Sequence, residues 1–228
     1  LVTVLLSIYI ANSTPGTWLA GWDNLMPELN IFVNLKRSLQ AVWVEYHGLG
    51  VVGGMGHATE LIRQLFLLPF TLILPNNWIG YFWIFLLMGI GTFGMYYGLG
   101  KITKFSKIAR TLSALFYLIN FGSIQIFWPP FEPFIGFWAA YPWLIFYFIN
   151  LMQSKKKKDL YIWLLINVLA TPAFYLQTTF VVYLISIFGI SLSYLLLNGN
   201  KKEFLIKNTK TYLILFLINS FWILPFLY

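Results

Sequence analysis

Apolar residues run along this chain in long blocks broken by short polar interruptions, and the blocks are of membrane length. A bilayer hydrocarbon core of about 30 Å needs roughly 20 helical residues. Blocks close to that length lie at 78–100, 111–128, 133–152, 160–176, 177–197 and 211–228, after an apolar stretch at 1–11. None of the six contains Asp, Glu, Lys, Arg or His. The pattern predicts an all-α polytopic membrane protein, with about six transmembrane helices over 78–228. The stretch at 1–11 lacks a basic leader and is followed by many more apolar blocks, so it reads as a clipped first span rather than a signal peptide. A start at Leu1 and a stop inside "TYLILFLINSFWILPFLY" predict an N-terminal fragment of something longer.

Residues 12–77 form the one long connection, which this pattern predicts to be an external loop with helices of its own. Pro27 suits a first helical turn, and Phe32, Leu35, Leu39, Val42, Trp43 and Tyr46 follow at spacings of three or four. Asn30, Asn34, Arg37 and Glu45 lie away from that stripe. The spacing predicts a juxtamembrane amphipathic helix, with Trp18, Trp22 and Trp43 as headgroup-level anchors. The stretch "LIRQLFLLPFTLILP" at 61–75 is short, begins with Arg63 and Gln64, and has Pro69 in its middle. It is expected to lie in or dip into the interface.

Charge sharpens the topology. Of 228 residues 59% are hydrophobic and only 10% charged, which excludes an ordinary soluble domain. The net charge of +8 would suggest nucleic acid in a soluble protein. Here twelve of the fifteen Lys and Arg fall in three short connectors: Lys101, Lys104, Lys107 and Arg110; Lys155 to Lys158; Lys201, Lys202, Lys207 and Lys210. Such loops read as cytoplasmic by the positive-inside rule, and no nucleic-acid partner is expected. The absence of cysteine excludes disulfides and thiolate metal sites.

The acids fall on the other side. Asp23, Glu28, Glu45 and Glu60, with His47 and His57, sit in the long loop, and Glu132 stands in "WPPFEPF" between two blocks. Asp23, in "GWDNLMPELN", is placed to project from the membrane surface toward a lipid-borne substrate. A carboxylate there could take a proton from an acceptor hydroxyl or help hold a divalent cation. Solvated loop or cap residue is the equal alternative. Glu28 falls in the first turn of the amphipathic helix, where the dipole favours it. "HGLGVVGGMGH" spells G-x-G-x-x-G, but no strand precedes it, so a dinucleotide site is excluded. Gly53 and Gly54 instead allow close backbone approach to a phosphate, or a plain connector. His57, Glu60 and Gln64 share a helical face, fit either for phosphate contact or for local pairing. Lys36, Arg37 and Arg63 are the only cations expected on this side, so an anionic lipid phosphate would need one of them.

This arrangement resembles the GT-C superfamily of membrane glycosyltransferases. The likeness lies in the clipped first span, the long external first loop with an early Asp, and the short-looped spans that follow. "GWDNLMPELN" and "YHGLGVVGGMGHATELIRQL" look most like the bacterial branch related to arabinofuranosyltransferases and YfhO-like proteins. The resemblance implies an inverting transfer of a sugar from a polyprenyl-phosphate donor to a glycan, lipid or protein acceptor on the outer face of the plasma membrane. It makes Asp23 the catalytic base or metal-proximal carboxylate and Glu132 the acid of the second external loop. His57, Arg63, Arg37, Glu60, Gly53 and Gly54 would serve the phosphate, and magnesium or manganese would be the cation if one is used. Glu132 stands alone between prolines, a departure from the family's paired acids.

Two other classes fit the same pattern. A lipid or polysaccharide transporter would commonly place ionisable residues or broken helices at mid-membrane, and these blocks carry no ionisable residue. Gly89, Gly91, Gly94, Gly98 and Gly100 read instead as a small-residue packing face. A noncatalytic assembly subunit would tolerate loss of Asp23.

Overall fold

The computed structural model describes residues 1–21, 26, 29–40, 49, 54–154, 156–197 and 201–227, the side chains of 54–56, 201–203, 225 and 226 aside. Among them the chain is predominantly helical, with no strand beyond an isolated bridge between Phe127 and Pro130. Three helices are long and apolar enough to cross a membrane: α5 (Asn76–Ile102), α8 (Glu132–Gln153) and α10 (Gln177–Leu197). The protein is therefore an all-α membrane protein. A fourth long helix, α11 (Lys201–Leu227), takes in the last apolar block after a basic first half.

Two of the expected spans are not single helices. Block 111–128 divides into α6 (Lys107–Ile119) and α7 (Phe121–Phe127) at Asn120. The Asn120 amide donates back to the Phe116 and Tyr117 carbonyls while its oxygen accepts from the Ser123 N–H at 3.1 Å, so one side chain closes the first helix and caps the second. Block 160–176 holds α9 (Lys157–Leu169) and a 3-10 turn, Thr171–Phe174. Pro172 ends the α-helical ladder there, because it offers no N–H and disfavours helical geometry before it.

The spine of the fold is the α5–α8 pair. Gly91, Gly94 and Gly98 fall on one face of α5, and each receives an aromatic ring from α8: a Cβ added at these positions would lie 2.3 Å from Trp138, 2.5 Å from Trp143 and 2.1 Å from Phe146. Without a side chain at 94, the Trp143 indole reaches past the helix surface and donates to the Ile90 carbonyl at 2.8 Å. Gly89 faces open space, and Gly100 sits against the Arg110 guanidinium instead. The packing face read from the glycine spacing is thus real at three of its five positions. Around the spine two apolar clusters form. Ile79, Trp83, Leu87, Ile135 and Trp138 belong to one, and Phe148, Trp163, Phe174, Tyr183 and Trp222 to the other.

α8 carries Pro142 within its length. The missing N–H orphans the carbonyl four residues earlier, that of Trp138, inside an apolar bundle where an unpaired carbonyl is costly. Tyr117 of α6 fills the gap, its hydroxyl donating to that carbonyl at 2.7 Å while its ring stacks on the Trp138 indole. Tyr117→Phe is expected to destabilise the detergent-solubilised protein by about 1–2 kcal/mol. In a Pro142→Ala background the restored backbone N–H should remove most of that cost. A thermal-unfolding double-mutant cycle measures the difference, and equal costs in both backgrounds would refute the link.

Alternating helix direction gathers the basic connectors at one end. The Lys207 ammonium of α11 donates to the Leu151 carbonyl at 2.6 Å and the Ser154 carbonyl at 2.5 Å, closing the last turn of α8. Lys101 lies over Tyr147, and Arg110 over Tyr96 at 4.7 Å. The starts of α5, α8 and α10 lie at the other end, together with the long first loop.

Candidate functional site

The first loop packs against the bundle through three short helices. In α2 (Ile31–Leu39), Asn30 is the N-cap, its side chain accepting from the Val33 N–H. Ile31, Asn34 and Ser38 are buried, while Phe32 and Leu39 are about two-thirds exposed. The helix therefore turns its polar edge inward and its apolar stripe outward, the attitude of an interfacial helix lying against lipid. Next come α3 (Gly54–Thr59) and α4 (Leu61–Leu67), the latter continued by a 3-10 turn, Leu68–Leu72, around Pro69. At twelve residues, Leu61–Leu72 spans about 18 Å at helical rise and is too short to cross a bilayer core.

At the joint between α3 and α4 the chain buries a charged cluster. Arg63, whose side chain is 3% exposed, donates from Nη1 to Glu60 Oε2 at 2.9 Å, and its Nη2 pairs with Glu132 Oε1 at the start of α8. The guanidinium carbon also sits 5.2 Å from the centre of the Trp83 ring of α5, a cation–π contact. Thr59 and Gln64 are fully enclosed beside it, and Gln64 Oε1 has no hydrogen-bond partner among the described residues. The space left between Glu60, Arg63, Trp83, Glu132, Gly136 and Tyr175 is about 10 Å³, at the lower limit for one water.

Two carboxyl groups share one guanidinium, so the cluster would carry one negative charge in excess with both ionised. Burial pushes the Glu60 carboxyl up to about 7; Arg63 opposes the shift and Glu132 adds to it. This value lies above the unfolded value of 4.5, so the contribution of Glu60 to stability is complete below pH 4.5 and is lost as pH rises through about 7. The shift corresponds to about 3 kcal/mol over that window. Unfolding followed from pH 4.5 to 8 should show the decline, and Glu60→Gln should flatten it. An unchanged slope in the variant would assign the effect elsewhere.

The structure thus unites Glu60, Arg63 and Glu132, two from the first loop and one from the second. Of the other candidates, Arg37 is half-buried in the last turn of α2, where a cation is favoured, and His57 is half-buried in α3. Gly54 opens α3. Asp23, Glu28, Glu45, His47 and Gly53 lie outside the described residues. Trp83, Tyr175 and Gly136 line the cluster without having been legible as site residues, since nothing but tertiary packing distinguishes them from other residues of apolar blocks.

The described residues do not fit a divalent ion. Among them no three of His, Cys, Asp and Glu come together, and the two carboxylates that do approach are bridged by a cation that would repel a metal. A separate apolar groove of about 620 Å³, which shares no lining residue with the cluster, is walled by Leu19, Phe85, Met88, Leu118 and Phe127 and reaches the Trp128–Pro130 loop. No protein-family model matches the chain, and no curated protein or solved structure is significantly similar to it.

Proposed function

We propose that this chain belongs to an integral membrane glycosyltransferase of the GT-C type, multi-pass in the plasma membrane, with its basic end cytoplasmic and its Glu60–Arg63–Glu132 end external. It transfers a sugar from a polyprenyl-phosphate donor to an acceptor hydroxyl on a glycan, lipid or protein. The observation that carries this reading is the docking of the first loop onto the second through Arg63, which brings Glu60 and Glu132 together at the end of the bundle away from the basic connectors. The apolar groove lined by Leu19, Phe85, Met88, Leu118 and Phe127 is suited to a segment of a polyprenyl chain.

In this reaction Asp23 takes the proton from the acceptor hydroxyl as its oxygen bonds to the sugar's anomeric carbon. The anomeric bond to phosphate oxygen breaks on the opposite face, and the phosphate departs on its lipid. Charge stabilisation of the leaving phosphate is assigned to Arg37 and His57 of the same loop, and Arg63 holds the two carboxylates in place. The full-length protein, incubated with radiolabelled polyprenyl-phosphate sugars and a cell-envelope acceptor fraction, should consume donor and release polyprenyl phosphate. No turnover of any donor would overturn the proposal.

One observation favours a noncatalytic assembly subunit instead: the charged cluster is enclosed and has the character of a structural latch. In that case the latch variants would disturb folding and partner binding while Asp23 could be replaced freely.

A further inference from the structure

At the opposite end of the molecule a cavity of about 740 Å³ lies where the last turn of α8 meets the starts of α9 and α11. Its rim carries Lys156, Lys157, Lys207 and Lys210, with Gln153 and Tyr194 as uncharged donors. Its walls are apolar, among them Leu151, Met152, Leu160, Phe204 and Ile214. No acid lines it among the described residues. The adjacent acid, Asp159, accepts from the Ser154 hydroxyl, and this hydrogen bond, aided by Lys101 and Lys156, holds its carboxyl below the usual range. Lys207 is fixed by the carbonyls that end α8, whereas Lys157 and Lys210 are exposed at the rim and make no described hydrogen bond.

We propose that this cavity binds the phosphate headgroup of an anionic phospholipid, with the lysines around the phosphate and the upper acyl chains along the apolar walls. A free phosphate would use only the rim. The lining demands an amphiphile, because its apolar walls continue directly from the cationic rim, and cationic pockets between membrane helices are suited to such headgroups. The site is separate from the glycosyltransfer reading and does not depend on it.

Native mass spectrometry of the full-length protein in neutral detergent, where no charged leaflet contributes, tests this with phosphatidylglycerol and phosphatidylcholine as probes. Phosphatidylglycerol should bind at least about tenfold tighter than phosphatidylcholine. Lys157→Gln/Lys210→Gln should weaken it about thirtyfold, while Lys104→Gln/Lys107→Gln, an equal charge change on another connector, should weaken it less than about threefold. Equal losses in the two variants, no preference for phosphatidylglycerol, or full displacement by millimolar inorganic phosphate would each overturn the proposal. Both substitution pairs are at exposed positions, so folding is preserved and the comparison stays decisive.

Discussion

Arg63→Met is expected to destabilise the protein by about 3–5 kcal/mol at pH 8. The reason is what it leaves behind. Glu60 and Glu132 would remain buried, facing each other without the cation that separates them, and must either stay charged in an apolar setting or take up protons. Replacing all three partners together tests whether charge or shape is responsible. Glu60→Gln/Arg63→Met/Glu132→Gln removes every charge at similar volume, and buried ion clusters are commonly replaceable at little net cost. The triple variant should recover most of the lost stability, and unfolding in detergent measures both. If the triple variant is as unstable as the single one, the packing of Arg63 on Trp83 matters more than its charge. The loss in Arg63→Met should also shrink at pH 5, where Glu60 takes up a proton.

Asp23→Ala is expected to lower donor turnover by about 10²–10⁴-fold, the range of a lost general base, with no change in unfolding temperature. Asp23→Asn should lose as much, because the amide keeps the shape and hydrogen-bond length but cannot accept a proton. Glu60→Gln provides the contrast: its effect belongs on stability and its pH profile, with turnover following only as far as the first loop loses its place. Measured turnover of labelled donor separates the two. Wild-type rates in Asp23→Ala would remove the proposed base and assign the proton acceptor to another group, whereas absence of turnover in the wild type itself would favour the assembly-subunit reading.

Some of this was open to inspection in the sequence because it rests on local chemistry. Helices α5, α8 and α10 follow from uninterrupted apolar runs of bilayer length, and the seam at Gly91, Gly94 and Gly98 follows from spacing alone. The outward stripe of α2 was equally plain in Phe32 and Leu39. That Asn34 and Ser38 would be buried was not, since a pattern gives the two faces of a helix but not which one meets protein when the other meets lipid. Asn120 was hidden for another reason. It carries no charge, so it passes inside an apolar run, yet its amide rivals the backbone and breaks the helix. The Glu60–Arg63–Glu132 cluster shows only its first half in sequence, as an i,i+3 pair. Its third member comes from a separate loop, and no spacing rule connects them.

The positive-inside orientation proposed for the three basic connectors would also make insertion one-way. Each elementary charge carried across a membrane against 100 mV costs about 2.3 kcal/mol. Turning the finished molecule over would therefore take tens of kcal/mol from the potential alone, before any charge is stripped of water. In the proposed orientation the assembled chain would not turn over, and the external end would be set by where the lysines stay behind during insertion.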